Sequence, residues 1–326
     1  MKLLHFLPAL VVGLGLLGCE QAAVPNVTSA VQPVAAPVPA PANKRIGLVM
    51  KTLTNPFFVE MEKGARRAEK ELGIDLKVKT AAQETSIEQQ IQLVEDLIAD
   101  KVDAIVIAPG DSQRLVPALK KATDAGIKVV NIDNHLDEVA VKNAGLAPIP
   151  FVSVDNEAGA YKAGQFLVKG VTAPTELAVL EGIRSADNAH QRAQGARRAF
   201  AENKHISVAA SETANWKIDE AYSVTKAIFA KHRNVKLLFA ANDMMALGAL
   251  KFLQESGRTQ VKVAGFDALS EALTEIKAGR LLATIDQQAA EQGYQGIALA
   301  NRLSHGNVVP TVTLIDTKLI TASSLP

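Results

Sequence analysis

From residue 44 onward, short apolar runs alternate with longer stretches whose apolar residues recur at helical spacing. Strand-length runs lie at 45–50, 75–79, 103–108, 128–132, 152–154, 177–180, 207–210, 236–239, 261–265 and 281–285. Helical patterns fill most of the intervals, at 60–72, 87–98, 115–125, 158–168, 189–202, 221–231 and 246–255. This βαβα rhythm implies an α/β fold with doubly wound parallel sheets covered by helices on both faces. About ten strands would make one sheet unusually wide, so two sheets in two domains are expected.

The stretch RIGLVMKTLTNPFF at 45–58 shows how such a unit turns toward chemistry. An apolar strand over 45–50 runs into a loop, and Asn55-Pro56 then opens a helix, since Asn suits an N-cap and Pro the first helical position. In parallel sheets that loop lies at the carboxyl end of the strand, where α/β folds hold ligands. Phe57 and Phe58 follow directly, pointing about 100° apart on a helix. They read either as two core residues capping the sheet or as the apolar wall of a ligand cleft.

Composition narrows the classes. The 326 residues carry 35 Lys and Arg against 34 Asp and Glu, so no global field attracts nucleic acid or an anionic membrane. A single cysteine excludes an intrachain disulfide and a cysteine-based metal cluster. That cysteine, Cys19, ends an apolar run over 3–17 preceded by Lys2, too short for a comfortable membrane span and right for a signal peptide. Leu16-Leu17-Gly18-Cys19 resembles the lipobox of bacterial lipoproteins, which implies a leader over 1–18 and a lipidated Cys19. Gly13, Gly15 and Gly18 match a dinucleotide fingerprint by spacing, but no strand precedes them and no βαβ unit follows, so that reading is rejected. Residues 20–43 are rich in Ala, Val and Pro and read as a semi-extended tether of about 3 Å per residue.

Several ordered motifs, among them KTLTNPFFVEMEKGARRAEKELG, VDAIVIAPGDS, VVNIDN, VDNEAGAYKAG, FAANDMMALGAL, VAGFDAL and LLATIDQ, resemble the type I periplasmic sugar-binding proteins, the ribose-binding protein and its relatives. The resemblance covers the chain from residue 44 to the end. It implies two similar α/β domains joined by three crossovers near Val154-Asp155, Gln287-Gln288 and Asp316, with residues 44–154 and 288–315 in the first and 155–287 and 316–326 in the second. A sugar would lie in the cleft between them.

Carried over position by position, the resemblance implies a site of Asn55, Phe57, Phe58, Asp133 and Asn134 from the first domain and Arg192, Trp216, Asn242 and Asp267 from the second. Gln287 joins them at a crossover. The chemistry suits a pyranose, whose C–H faces pack on flat aromatics while carboxylates accept from, and Arg or Asn donate to, its rim of hydroxyls. Plainer readings stay open at each position. Asp243, beside Asn242, can cap the helix that follows, Asp267 can cap one near Leu269, Asp133 can shape a loop, and Trp216 can be an ordinary buried indole. Asn134 stands where ribose binders carry Arg, and Trp216 where they carry Phe. Losing a guanidinium removes charge-assisted bonds of roughly 1.5–3 kcal/mol each, which puts ribose itself in doubt and leaves a hexose, a pentitol or a cyclitol open.

The expected function is that of a non-enzymatic, monomeric receptor for a neutral monosaccharide or polyol. It would need no cofactor or metal, bind no nucleic acid, stand lipid-anchored on the periplasmic side of a bacterial membrane, and deliver its ligand to an ABC importer. A sugar-sensing input to a membrane kinase or chemoreceptor is the alternative. A LacI-type repressor is disfavoured because the export signal and tether stand where a helix-turn-helix would have to be. No GxSxG, HExxH or Walker motif marks an enzyme.

Overall fold

The computed structural model describes residues 43–325, with Ala9 apart from them. The expected leader otherwise, Cys19, and the tether up to residue 42 lie outside the described residues. The first sheet contains β1 (Arg45–Met50), β2 (Asp75–Thr80), β3 (Ala104–Ile107), β4 (Lys128–Ile132) and β5 (Phe151–Val154). Helices α1 (Pro56–Leu72), α2 (Ile87–Ala99), α3 (Val116–Asp124) and α4 (Glu138–Asn143) alternate with these strands. The second sheet repeats the pattern with β6 (Thr175–Glu181), β7 (Ile206–Thr213), β8 (Val235–Ala240), β9 (Lys262–Ala264) and β10 (Ala283–Asp286). Its helices are α5 (Asn156–Val168), α6 (Asp187–Ala201), α7 (Ile218–Lys231), α8 (Asp243–Glu255) and α9 (Ser270–Lys277). Three late elements complete the two lobes: α10 (Ala289–Ser304), β11 (Val312–Ile315) and β12 (Lys318–Thr321).

Both sheets have the same order. One runs β11-β5-β4-β3-β1-β2 and the other β12-β10-β9-β8-β6-β7. Every pairing is parallel except β10 with β12. Central strands such as β3, AIVI, are buried along their whole length because helices cover both faces. Helix α5 packs on α6 and against β10, whereas α10 packs on α1 and beneath β3 and β4. The chain therefore passes between lobes after β5, after β10 and after β11. Asp155 caps α5 at the first passage, accepting the Ala158 N–H at 2.8 Å, and Gln288 takes a left-handed φ of 52° at the second.

The elements left out of the sequence reading, α4, α10, β11 and β12, have physical reasons for their weak signal, and α4 has only six residues, under two turns. Helix α10 carries Gly293 at its contact with α1, where a Cβ would stand 2.1 Å from the Met61 carbonyl oxygen. Close helix approach demands a residue with poor helix propensity, and the periodic pattern is blunted there. Strands β11 and β12 have four residues each and are half-exposed, so neither forms an apolar run.

Candidate functional site

The carboxyl ends of the strands in both sheets converge on one small cavity between the lobes. From the first lobe come Lys51 after β1, the start of α1, Glu84 before α2, and Asp133 after β4. From the second come Asn188 and Arg192 on α6, Trp216 after β7, Asn242 after β8 and Asp267 after β9, with Gln287 at the passage after β10. Larger clefts lie on the surface, one of them beside Asn131, Val141 and Thr311, but they are not lined by buried charged side chains.

Nine of the ten expected ligand-binding positions line this cavity, all but Asn134. Asn55 caps α1, its Oδ1 accepting the Phe57 N–H at 3.1 Å while Nδ2 donates to Glu84 Oε1 at 2.9 Å. Phe57 and Phe58 are 3% and 1% exposed, meet edge to face at 5.1 Å, and belong to the core as well as to the cavity wall. The two readings open for them are compatible, because the first turn of α1 sits at the boundary between sheet and cleft. Asn242, not Asp243, is the N-cap of α8, accepting the Met245 N–H at 2.9 Å. Asp267 caps nothing, since α9 begins after Leu269 without a side-chain cap.

Asn134 lies behind the wall. Its Nδ2 donates to the Pro109 carbonyl at 3.1 Å and to Ser112 Oγ at 3.2 Å, and its Oδ1 accepts the Asn188 N–H at 3.1 Å. The last bond crosses from the first lobe to the second. Ser112 crosses too, accepting the Asp187 N–H at 3.0 Å and donating its own N–H to the Ser185 carbonyl at 3.1 Å. The side chain expected on the ligand is instead part of a polar seam between the lobes.

Each lobe holds one buried cation. Lys51 Nζ stands 2.7 Å from Asp133 Oδ2, 4.0 Å from Glu84 Oε2 and 5.5 Å from the centre of the Phe58 ring. Arg192, 3% exposed, donates from Nε to Asn156 Oδ1 at 2.8 Å and from Nη1 to the Ala241 carbonyl at 2.9 Å. It also reaches Asp267 Oδ1 at 3.4 Å and Gln287 Oε1 at 3.3 Å, with the guanidinium carbon 3.9 Å from the Phe266 ring centre and 5.4 Å from that of Trp216. Burial raises the Glu84 carboxyl above its ordinary range, opposed by Lys51. Burial also pushes Asp267 well up, against the pull of Arg192, and lowers the Arg192 guanidinium.

Three cavity residues keep a buried polar atom without a hydrogen-bond partner: Trp216 Nε1, Asn188 Oδ1 and Asp133 Oδ2. Asp133 Oδ2 is nevertheless ion-paired with Lys51 Nζ at 2.7 Å, so it has a charged partner, unlike the other two. Native interiors pair nearly all such groups, so the orphan Trp216 donor and Asn188 acceptor around one cavity are a signature of a polar ligand site. The backbone carries a second signature. Asp133, Trp216 and Asp267 all have positive φ, at 64°, 67° and 127°, a conformation non-glycine residues rarely keep outside functional sites. Trp216 fits only because position 182 is glycine, where a Cβ would stand 2.0 Å from the indole.

Lys51, Glu84 and Asn188 were absent from the sequence reading of the site. Lys51 had a usable signal: a charge directly after a fully apolar parallel strand lies at the ligand end of the sheet. Glu84 and Asn188 lie in polar segments whose direction only the fold supplies.

The family described as "Periplasmic binding protein domain" matches residues 46–307. The chain belongs to the periplasmic binding protein family. Its two-sheet architecture is the type I form of that family. The D-ribose/D-allose-binding protein of Pseudomonas aeruginosa is 42% identical over 269 residues, 82% of this chain and 84% of its own length. The D-allose-binding periplasmic protein of Escherichia coli is 33% identical over 276 residues, covering 84% and 89%. A solved ABC transporter periplasmic solute binding protein from Actinobacillus succinogenes with bound D-allose superposes with a TM-score of 0.82 at 38% identity, covering 86% of this chain and 99% of that one. These relatives are named as binding proteins, not as enzymes.

The buried pairing of Lys51 makes a prediction about folding. Lys51→Met strands Asp133 and Glu84 without their cation, and breaking one side of a buried ion pair costs about 3–5 kcal/mol. Urea unfolding at pH 7 should show that loss. Because burial already raises the Glu84 carboxyl and losing Lys51 removes the charge that opposes this, the deficit should shrink toward pH 5. An unchanged midpoint at pH 7 would show that the pair carries no such weight.

Proposed function

We propose that this protein is an extracytoplasmic receptor that closes around a single neutral monosaccharide, D-allose or a closely related aldose, and delivers it to an ABC importer. The observation that carries the reading is the internally compensated cavity. Its two cations already have carboxylates, so an anionic ligand finds no free positive charge, while a hydroxyl-rich ring finds both donors and acceptors. Phe57, Phe58 and Trp216 supply aromatic surface for the C–H faces. Asn55, Asp133, Arg192, Asn242, Asp267 and Gln287 supply the rim, joined by Lys51, Glu84 and Asn188.

D-Allose leads because relatives named for D-allose and D-ribose share 33–42% of this sequence and a D-allose complex shares 38%. The relatives' description as ABC transporter solute binding proteins supports delivery to an importer. Both walls of the cavity come from one chain, which supports action as a monomer. The lipobox at Cys19 supports attachment to a membrane from the periplasmic side, with two or more acyl chains for stable anchoring.

Two experiments test this. Trp216 is the sole tryptophan, so its emission reports on the cavity directly. Titration with D-allose, D-ribose, D-glucose and myo-inositol should give a saturable change, strongest with D-allose, and none with nucleotides or amino acids. Flat emission alongside calorimetric binding would remove Trp216 from the wall. For the anchor, Cys19→Ala expressed with its own leader should leave the membrane fraction, and continued sedimentation with membranes would refute acylation.

A further inference from the structure

Asp243 opens α8 and is fully buried, yet Asn242 does the capping. The Asp243 carboxylate turns back toward the segment after β9. Its Oδ2 accepts the Leu269 N–H at 2.9 Å and its Oδ1 accepts the Thr284 hydroxyl at 2.8 Å. Thr284, equally buried in β10, accepts the Ala268 N–H at 3.2 Å through the same oxygen. The Asp243 N–H donates to the Phe266 carbonyl at 2.7 Å. Space for the carboxylate exists because position 265 is glycine, where a Cβ would stand 2.2 Å from Oδ1.

Three of these bonds end on residues 266–269, and the fourth ties Thr284 to Asp243. Within that turn Asp267 has φ 127° and Ala268 has φ 56°, conformations that persist in non-glycine residues only where the surroundings over-determine them. Asp267 lines the cavity, whereas neither Asp243 nor Thr284 does. We propose that Asp243 and Thr284 are positioning residues for ligand binding: a buried clamp that holds the strained turn so that the Asp267 carboxylate is set before the ligand arrives. The role rests on the sugar-receptor reading.

The clamp has a physical logic. An unconstrained turn would relax toward negative φ and swing Asp267 away from Arg192 and Gln287, and a ligand would then have to reorder it on binding. The charged groups that bear on Asp243 are Asp267 on the same turn and Arg192 on α6. Burial pushes the Asp243 carboxyl up to about 6, with the Thr284 hydroxyl and the 266–269 backbone opposing it.

Thr284→Val keeps the shape and removes only the hydroxyl, and Thr284→Ser returns it. In the unliganded protein, hydrogen exchange at the Ala268 and Leu269 amides should quicken in Thr284→Val, and D-allose affinity should fall on the order of tenfold or more, as expected for losing a buried hydrogen-bond partner. Thr284→Ser should recover most of both. A Thr284→Val protein that melts earlier but binds D-allose like the wild type, with exchange at 268 and 269 unchanged, would reduce Thr284 to a structural residue and overturn the proposal. A wild-type chain that binds neither D-allose nor D-ribose would overturn the sugar reading and the positioning role with it, while exchange at 268 and 269 would still report whether the turn is held as described.

Discussion

A guanidinium removed from water has to be met on every side, and Arg192 organises the second lobe through that demand. Its partners come from α5, from the ends of β8 and β9, and from the passage after β10, so four separate segments are tied to one buried charge. Replacing any partner leaves part of the cation uncompensated, which costs more than the lost bond itself. Lys51 imposes a smaller version on the first lobe through Asp133 and Glu84. Because each cation is balanced by its own lobe, the cavity offers polar direction without a field that calls for a charged ligand.

Backbone strain gives this chemistry its aim. A parallel strand that enters a helix by the ordinary turn sends its next side chains along the sheet edge. Positive φ at Asp133, Trp216 and Asp267 turns them into the interlobe space instead. The strain is tolerable where neighbouring groups pin the turn, as Ser153 does by donating its hydroxyl to the Asp133 carbonyl at 2.7 Å. Asn134 and Ser112 then join the lobes through the amino-terminal turn of α6, the helix that carries Arg192. Lobe contact and the placement of Arg192 thus share one element.

Much of the fold was legible in the sequence because parallel strands buried on both faces read as unbroken apolar runs, as in β1 and β3. The elements that escaped are α10, β11 and β12, in which packing or exposure erases the pattern, and α4, whose six residues are too few to repeat one. At the site, residue order along the chain and a family resemblance sufficed for side chains that follow strand ends, such as Asp133, Asn242 and Asp267. They did not suffice for Asn134, whose neighbour Asp133 has a left-handed backbone that sends the next residue behind the wall. Nor could the sequence separate Asn242 from Asp243: both are good capping residues, and only the fold shows one at the helix start and the other on the 266–269 turn.

The central claim is that buried charges compensate one another so that the cavity selects a neutral ring. Calorimetry with D-allose and with D-allose 6-phosphate, side by side at the same ionic strength, tests it most directly. The account predicts saturable binding of D-allose and no measurable heat from the phosphate, because two cations face three carboxylates around the cavity and none is free to meet a dianion. Comparable or tighter binding of the phosphate would contradict it.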